Sequence, residues 1–469
     1  MIKFGTGGWR ALIGSEFIEL NVRKVAEGIC LMAKEQNKFD KPIVVGYDNR
    51  FLSDEAARWM MEVFAANGIV SLFIDTAVPT PLVMHTVQKN DLYFGVAITA
   101  SHNPYIYNGV KLFVQEGRDA PIETTNRLEQ IINHIRNEVT YLPLEKAEKY
   151  GYINRVPKPF AAFVNDILNV LDIDSIQKAS LKILLDPMYG SGYYPLNMIL
   201  NTTQCVVDAI HAEHNAYFGH LAPAPSENTL TELTYKVVQG QYDIGIALDG
   251  DGDRIGIIAP SGRYLTANEI LSMLYWYLHE VKGWKGPVVK NLATTYMLDV
   301  MAEDFGEKCY TVPVGFKHIS HGIDEHDAVL GGESSGGLTV RGHIHGKDSI
   351  YAAALFVEMI SVTGLSIEDI LLNINKKYGH YYMAECNLCL SPSEFCRVND
   401  IINSNPPKNI IECADKWELY DGYKESGING HWILCRPSGT EPVLRIFAEA
   451  YTKQKAEYYI TKMREILKI

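Results

Sequence analysis

Residues 249–254 read Asp-Gly-Asp-Gly-Asp-Arg and set three carboxylates at alternating positions behind an apolar run, residues 244–248. Like charges this close repel one another unless a cation stands among them. The two intervening glycines let the backbone bend so that the three acids can converge. Hard oxygen ligands of this kind suit Mg²⁺. A second apolar run, 94–98, ends in Thr99-Ala100-Ser101-His102-Asn103-Pro104, and Lys111 follows shortly after. A serine hydroxyl is a weak nucleophile unless activated. As a phosphoserine it becomes a phosphoryl donor whose oxygens need a metal, which the three aspartates would supply.

Other readings of the acidic loop fit less well. A calcium EF-hand shares the opening but requires glycine at the sixth place and glutamate at the twelfth. Here those places hold Arg254 and Pro260, and a strand rather than a helix precedes the loop. A phosphatase of the haloacid-dehalogenase type would make Asp249 a nucleophile. A solvated turn does not need three acids.

Three further stretches carry polar groups suited to a sugar phosphate. Residues 436–442, Arg-Pro-Ser-Gly-Thr-Glu-Pro, combine a guanidinium, the hydroxyls of Ser438 and Thr440, and a backbone freed by Gly439. Such a set suits a phosphate dianion, with Arg445 close by. Glu333 and Ser335 lie in a glycine-rich loop and pair an acceptor with a donor, as adjacent sugar hydroxyls require. Near the start, residues 4–10 are glycine-rich, with Trp9 to dock the segment and Arg10 placed to hold a phosphoserine.

Those loops need a scaffold, and 469 residues are too many for a single core. Strand and helix patterns alternate in three stretches. Each stretch ends in a strand that delivers a polar, glycine-tolerant loop. The spacing predicts strands over 43–47, 71–74 and 94–98, then 181–185, 205–207 and 243–248, then 288–289, 310–312 and 328–330. A helix opened by Ser53 as N-cap and closed by Gly68 lies in the first stretch. The alternation implies mainly parallel sheets covered on both faces, with ligands beyond the carboxyl ends of the strands. The last segment differs: strand 432–435, the loop 436–442, strand 444–448 and helix 453–467 make a small α+β unit. The expected domains are 1–154, 155–260, 261–376 and 377–469, carrying the serine, metal, sugar and phosphate loops in that order.

The bulk composition excludes several classes of function. A net charge of −13 argues against nucleic acid or an anionic membrane as partner. No apolar run approaches a membrane span, and the start lacks the apolar stretch of a signal peptide. Eight scattered cysteines then point to a reducing cytoplasm. Cys386 and Cys389 form one CxxC without a second and are expected in an edge strand rather than at zinc. The oligomeric state is not legible.

Taken together, residues 4–10, 99–104, 249–254, 332–336 and 436–442 occur in an order that resembles the α-D-phosphohexomutase superfamily along the whole chain. The resemblance implies three similar mixed-sheet α/β domains around a central cleft plus a smaller C-terminal α+β domain that closes as a lid. It implies a phosphorylated Ser101, with His102 beside it. Mg²⁺ would be held by Asp249, Asp251, Asp253 and the seryl ester. Lys111, Arg10 and Arg254 would lie near the transferring group, Lys111 as acid or base. Glu333 and Ser335 would contact sugar hydroxyls. Arg436, Ser438, Gly439 and Thr440, with Arg445, would clamp the distal phosphate. The implied reaction interconverts hexose 1- and 6-phosphates through a hexose 1,6-bisphosphate, which also serves as activator.

On substrate, the chain departs from glucosamine mutases, which tend to have arginine at the place of Thr99 and alanine at that of Gly252. Gly337 replaces a histidine found in many bacterial mannose/glucose enzymes. Lys347-Asp348 resembles glucose-preferring relatives, in which the lysine reaches substrate. Glucose phosphates are the expected substrates, with mannose phosphates as the alternative. A sugar phosphatase and a non-catalytic sugar-phosphate sensor are the remaining readings.

Overall fold

The computed structural model describes residues 2–5, 7–136, 138–438 and 442–469. Its contacts divide the chain into two units, Met1–Ile270 with Ser335–Ile367, and Leu271–Ser334 with Glu368–Ile469.

The first unit holds two sheets. In the larger, Phe94–Ile98, Ile43–Tyr47, Ser71–Ala77 and Ile153–Arg155 run parallel. Every residue of Phe94–Ile98 is buried, as expected for a central strand covered on both faces. The sheet then turns antiparallel: Tyr107–Val114 returns along Phe94–Ile98, and Gly8–Leu12 pairs with it in turn. The sheet is therefore mixed, as the resemblance implied, rather than mainly parallel as the strand–helix alternation alone suggested. Helix Ser53–Ala66 covers one face through Ala57, Met60, Met61 and Phe64. Ser53 does not cap it. Leu52 holds the N-cap position, and the Ser53 hydroxyl donates to Asp48 Oδ1 at 2.8 Å. Gly68, with φ +75°, follows the helix end as expected.

The second sheet has five strands in the order Val206–Ala209, Lys182–Asp186, Ile244–Leu248, Ile255–Ile258, Tyr264–Leu265. The first three are parallel. Ile255–Ile258 returns antiparallel with Leu248 opposite Ile255, so the acidic loop is the tip of a hairpin. Helix Ser349–Thr363 also belongs to this unit and packs on Ile173–Ala179 and Tyr193–Thr202. Asp348 caps it by accepting from the Ile350 and Tyr351 amides at 2.8 and 3.1 Å. Most of this helix is buried around its circumference, which accounts for a sequence that is apolar on nearly every side.

In the second unit, Val288–Asn291 pairs in parallel with Cys309–Val312 and Leu330–Gly332. A five-stranded sheet follows, ordered Tyr382–Cys389, Val443–Ala450, Trp432–Pro437, Tyr423–Gly427, Ala414–Leu419, each pair antiparallel. Helix Lys453–Leu467 has the predicted bounds. Cys386 and Cys389 lie on strand Tyr382–Cys389. Leu292, Ala293, Trp432, Leu434 and Phe447 form a core shared between these two parts of the unit. Among the described residues, no single helix is long and apolar enough to cross a membrane.

Candidate active site

The two loops predicted to carry chemistry are built alike. Each leaves a buried central strand and returns as an antiparallel one. Register puts Lys111 opposite Ala97, so the lysine points back toward the serine loop from the returning strand. Sequence spacing alone placed it only as a nearby cation.

Ser101 is 1 % exposed and has φ +54°, a left-handed conformation. Its Oγ stands 3.3 Å from Asp249 Oδ2 and 3.3 Å from His102 Nδ1. Asp249 Oδ1 accepts from the Asp253 and Arg254 amides at 2.8 and 3.0 Å, which closes the hairpin tip and fixes that carboxylate. Gly250 lets the two loops approach: a Cβ there would lie 2.8 Å from the Ser101 carbonyl oxygen.

The three acids converge. Asp249, Asp251 and Asp253 are buried, and one oxygen of each lies within 4.8 Å of the others. Lys111 Nζ donates to Asp251 Oδ2 at 2.6 Å and Asp253 Oδ2 at 2.9 Å. Lys347 Nζ is 2.8 Å from Asp253 Oδ2, and Thr80 Oγ1 donates to Asp251 Oδ2 at 2.5 Å. Asp251 Oδ1 and Asp253 Oδ1 remain buried without a hydrogen-bond partner. Buried orphan carboxylate oxygens are costly. Their convergence with Asp249, as an all-oxygen donor set, fits a divalent hard cation.

Burial, then the charges of Asp253 and Asp251, push the Asp249 carboxyl well above the usual carboxylate range. Burial also opposes ionisation of Asp253, but Lys111, Lys347 and Arg254 outweigh it and hold that group well below the range. For Lys111, burial is likewise outweighed, by Asp251 and Asp253, so its ammonium is held above the ordinary lysine value. His102 is pushed well below the usual imidazole value by burial and by Arg254 and Arg10, so it stays uncharged near neutrality. Arg10 donates to Asn103 Oδ1 at 2.5 Å, and Arg254 Nε lies 3.8 Å from Asp253 Oδ1.

Ser335 and Lys347 belong to the first unit; Glu333, Arg436, Ser438 and Arg445 belong to the second. Glu333 is 8 % exposed and accepts from Asn291 Nδ2 at 3.1 Å. Arg436 Nε donates to Asp421 Oδ1 at 2.8 Å, and the Ser438 amide donates to the Val443 carbonyl at 2.8 Å. Arg445 is exposed on strand Val443–Ala450, opposite Arg436. Gly439 and Thr440 lie outside the described residues. Sequence reasoning missed Thr80, Asp48 and Arg50. Asp48-Asn49-Arg50 directly follows the predicted strand 43–47, and that charged pair at a strand end was the available signal.

A buried serine hydroxyl beside a convergent acidic triad, with Lys111 and Lys347 both reaching that triad, is an arrangement suited to metal-assisted phosphoryl transfer. The chain matches, in order, phosphoglucomutase/phosphomannomutase alpha/beta/alpha domain I over residues 1–139, domain II over 161–262, domain III over 266–378 and the C-terminal domain over 402–466. It belongs to the phosphoglucomutase/phosphomannomutase family, within the α-D-phosphohexomutases. A phosphoglucosamine/phosphogalactosamine mutase of Sulfurisphaera tokodaii is 27 % identical, covering 99 % of this chain and 98 % of that protein. A phosphoglucomutase/phosphomannomutase of Thermococcus kodakarensis is also 27 % identical, covering 97 % and 96 %. The crystal structure of a Thermus thermophilus protein designated a phosphomannomutase superposes with a TM-score of 0.86 at 26 % identity, covering 100 % and 99 %.

Proposed function

We propose that the protein interconverts glucose 1-phosphate and glucose 6-phosphate, with Ser101 as the phosphoryl carrier and hexose 1,6-bisphosphate as intermediate and activator. The observation that carries this is the buried 3.3 Å approach of Ser101 Oγ to Asp249 Oδ2 beside a convergent acidic triad. Asp249, Asp251 and Asp253 would hold Mg²⁺, with a seryl phosphate oxygen. A bound divalent cation neutralises phosphoryl oxygens as charge redistributes in transfer.

The chain's own groups do the rest. In the forward half-reaction the Ser101 O–P bond breaks and a bond from phosphorus to the free sugar hydroxyl forms, giving the bisphosphate. The sugar hydroxyl loses its proton and Ser101 returns to its hydroxyl form. In the second half-reaction the bond from the other phosphoryl to its sugar oxygen breaks and a bond from phosphorus to Ser101 Oγ forms. The Ser101 proton can leave toward His102 Nδ1, and the sugar oxygen takes up a proton to become the product hydroxyl. Lys111, held cationic, lies 2.6 and 2.9 Å from two of the acids and would offset negative charge at the transferring group. Arg436, oriented by Asp421, would take the phosphate that does not react, with Ser438, Gly439 and Thr440 completing that clamp. Glu333, Ser335 and Lys347 would contact the sugar.

Two residues depart from the glucosamine-mutase pattern, and that departure is what supports glucose over glucosamine. Thr99 is 1 % exposed and donates to Asp48 Oδ2 at 2.6 Å, a position that an arginine could not occupy without displacing that pair. Gly252 has φ +70°, which disfavours alanine. Mannose phosphates remain the second reading, because C2 is the only centre at which the two sugars differ. A coupled assay of glucose, mannose, glucosamine and N-acetylglucosamine 1-phosphates tests the choice. Fastest turnover of an amino sugar overturns it. Mass spectrometry of active protein should show one phosphate on Ser101, and full activity of Ser101→Ala would eliminate the carrier. Release of inorganic phosphate without isomer would instead identify a phosphatase.

A further inference from the structure

Arg50 lies behind the serine loop and is 3 % exposed. Its guanidinium donates to four backbone carbonyls of that one loop. Nη2 reaches Ser101 O at 2.5 Å and Asn103 O at 2.6 Å, and Nη1 reaches Pro104 O at 3.0 Å and Tyr107 O at 2.9 Å. Nε faces Asp48 Oδ2 at 3.2 Å. Asp48 is itself buried and takes the Thr99 hydroxyl at 2.6 Å and the Arg50 amide at 3.0 Å. Thr99 Oγ1 in turn accepts from the Ser101 amide at 2.8 Å. The pair therefore holds both backbone polar groups of Ser101: the carbonyl directly, and the amide through Thr99.

This grip has a physical purpose. A non-glycine residue in the left-handed region is disfavoured by the crowding of its Cβ and persists only where its surroundings over-determine it. Ser101 is such a residue, and its conformation aims Oγ at Asp249 and His102. Only a guanidinium has enough donors, in a fixed planar fork, to satisfy four carbonyls while its charge faces a carboxylate. Lysine could reach some of them but could not hold the whole set.

We propose that Arg50, anchored by Asp48, is a positioning residue for phosphoryl transfer: it locks the backbone of Ser101 so that Oγ stays in line with the acidic triad. The proposal rests on the reading of Ser101 as phosphoryl carrier. Arg50 makes no hydrogen bond to the triad but acts on Asp251 and Asp249 through its charge, so the effect of the charge-conserving Arg50→Lys should fall on turnover rather than on metal or substrate affinity. Arg50 and Asp48 also line a cavity of about 540 Å³, together with Tyr47, Asp54 and Tyr194. Arg50→Ala would widen that cavity at the place of the missing side chain.

The test compares wild type, Arg50→Lys and Arg50→Ala. Mg²⁺ affinity is measured by calorimetry, kcat and KM by coupled assay, and phosphorylation of Ser101 from glucose 1,6-bisphosphate by quenched-flow mass spectrometry. In Arg50→Lys, kcat and the rate of Ser101 phosphorylation should fall together by about thirtyfold or more, with KM and Mg²⁺ affinity within about threefold of wild type. Guanidinium ion should restore part of the turnover of Arg50→Ala and none of that of Arg50→Lys. Wild-type kcat in Arg50→Lys overturns the proposal. So does a parallel loss of metal affinity, KM and kcat in a protein that still melts cooperatively. If neither arginine variant folds, Asp48→Asn keeps the guanidinium but loosens its anchor. It should lower kcat about fivefold at constant KM, and an unchanged kcat there overturns the proposal equally. A wild-type enzyme that never carries phosphate on Ser101 defeats the carrier reading itself, and the positioning role with it. A phosphorylated wild type beside an unaffected variant defeats the positioning role alone.

Discussion

The side chain of Lys347 lies across the open face of Gly337, where its Cδ and Cγ occupy the space that a Cβ at position 337 would need. From there it reaches Asp253 Oδ2 at 2.8 Å. The missing side chain at 337 is what gives the lysine its path. Gly337→His should therefore expel Lys347 from Asp253, with an overpacking cost of about 1–3 kcal/mol. Coupled assay should show glucose 1-phosphate turnover down by about tenfold or more, equivalent to about 1.4 kcal/mol in the barrier. An unaltered rate would show that the contact between Lys347 and Asp253 has no part in turnover.

Gly252 holds the hairpin tip in a left-handed turn, and a Cβ there would lie 2.8 Å from Pro79 Cβ and 3.2 Å from Ile350 Cδ1. Gly252→Ala combines backbone strain with a steric clash. It should lower unfolding free energy by about 1–3 kcal/mol, read as a drop in the urea midpoint. A midpoint equal to wild type would mean that the loop relaxes without cost.

Asp251 offers one oxygen to Thr80 and Lys111 and leaves the other buried without a hydrogen-bond partner. Asp251→Asn removes the charge and keeps the shape. Calorimetric Mg²⁺ affinity should fall by about tenfold or more while the melting transition stays cooperative. Wild-type affinity in this variant would remove Asp251 from the ligand set.

Lys424 is 7 % exposed, donates to the Leu292 carbonyl at 2.6 Å and lies over the Trp432 ring at 4.3 Å. Burial, reinforced by the charge of Lys290, lowers its pKa to about 7. In the unfolded chain the group titrates near the ordinary lysine value of about 10.4. Between those two values the unfolded chain holds a proton that the folded chain lacks, so stability rises with pH through that window. The destabilisation is fully present below about pH 7. Lys424→Met should abolish this slope, seen as a wild-type denaturation midpoint that gains on the variant between about pH 7 and 9. Parallel pH profiles would mean that Lys424 folds as an ammonium.

Arg436 pairs with Asp421, which also accepts from the Val314 amide at 2.8 Å and is thereby fixed. Asp421→Asn should loosen the guanidinium without removing it. KM for hexose phosphate should rise by about three- to tenfold, with kcat changed less. A lowered kcat at constant KM would argue against a role in gripping the distal phosphate.

The proposed site is encoded locally, which is why its residues were legible in the sequence. Asp249, Asp251 and Asp253 converge because two glycines separate them in one short loop, and Ser101 ends an apolar run that could only be a buried strand. Helix 453–467 was legible with the bounds it has in the structure, where the Thr452 hydroxyl caps it by accepting from the Lys455 amide. Long-range pairing was not legible. The antiparallel return of Tyr107–Val114 that carries Lys111 to the acids depends on strand register, which no single segment encodes. Ser53 resembled a cap, but the buried Asp48 took its hydroxyl in the folded protein. Arg50 looked like an ordinary loop cation until four carbonyls from 51–57 residues away closed around it. Residue type and short spacing thus determined which atoms can react. Only the tertiary structure decided which distant groups hold them, because those partners are chosen by packing.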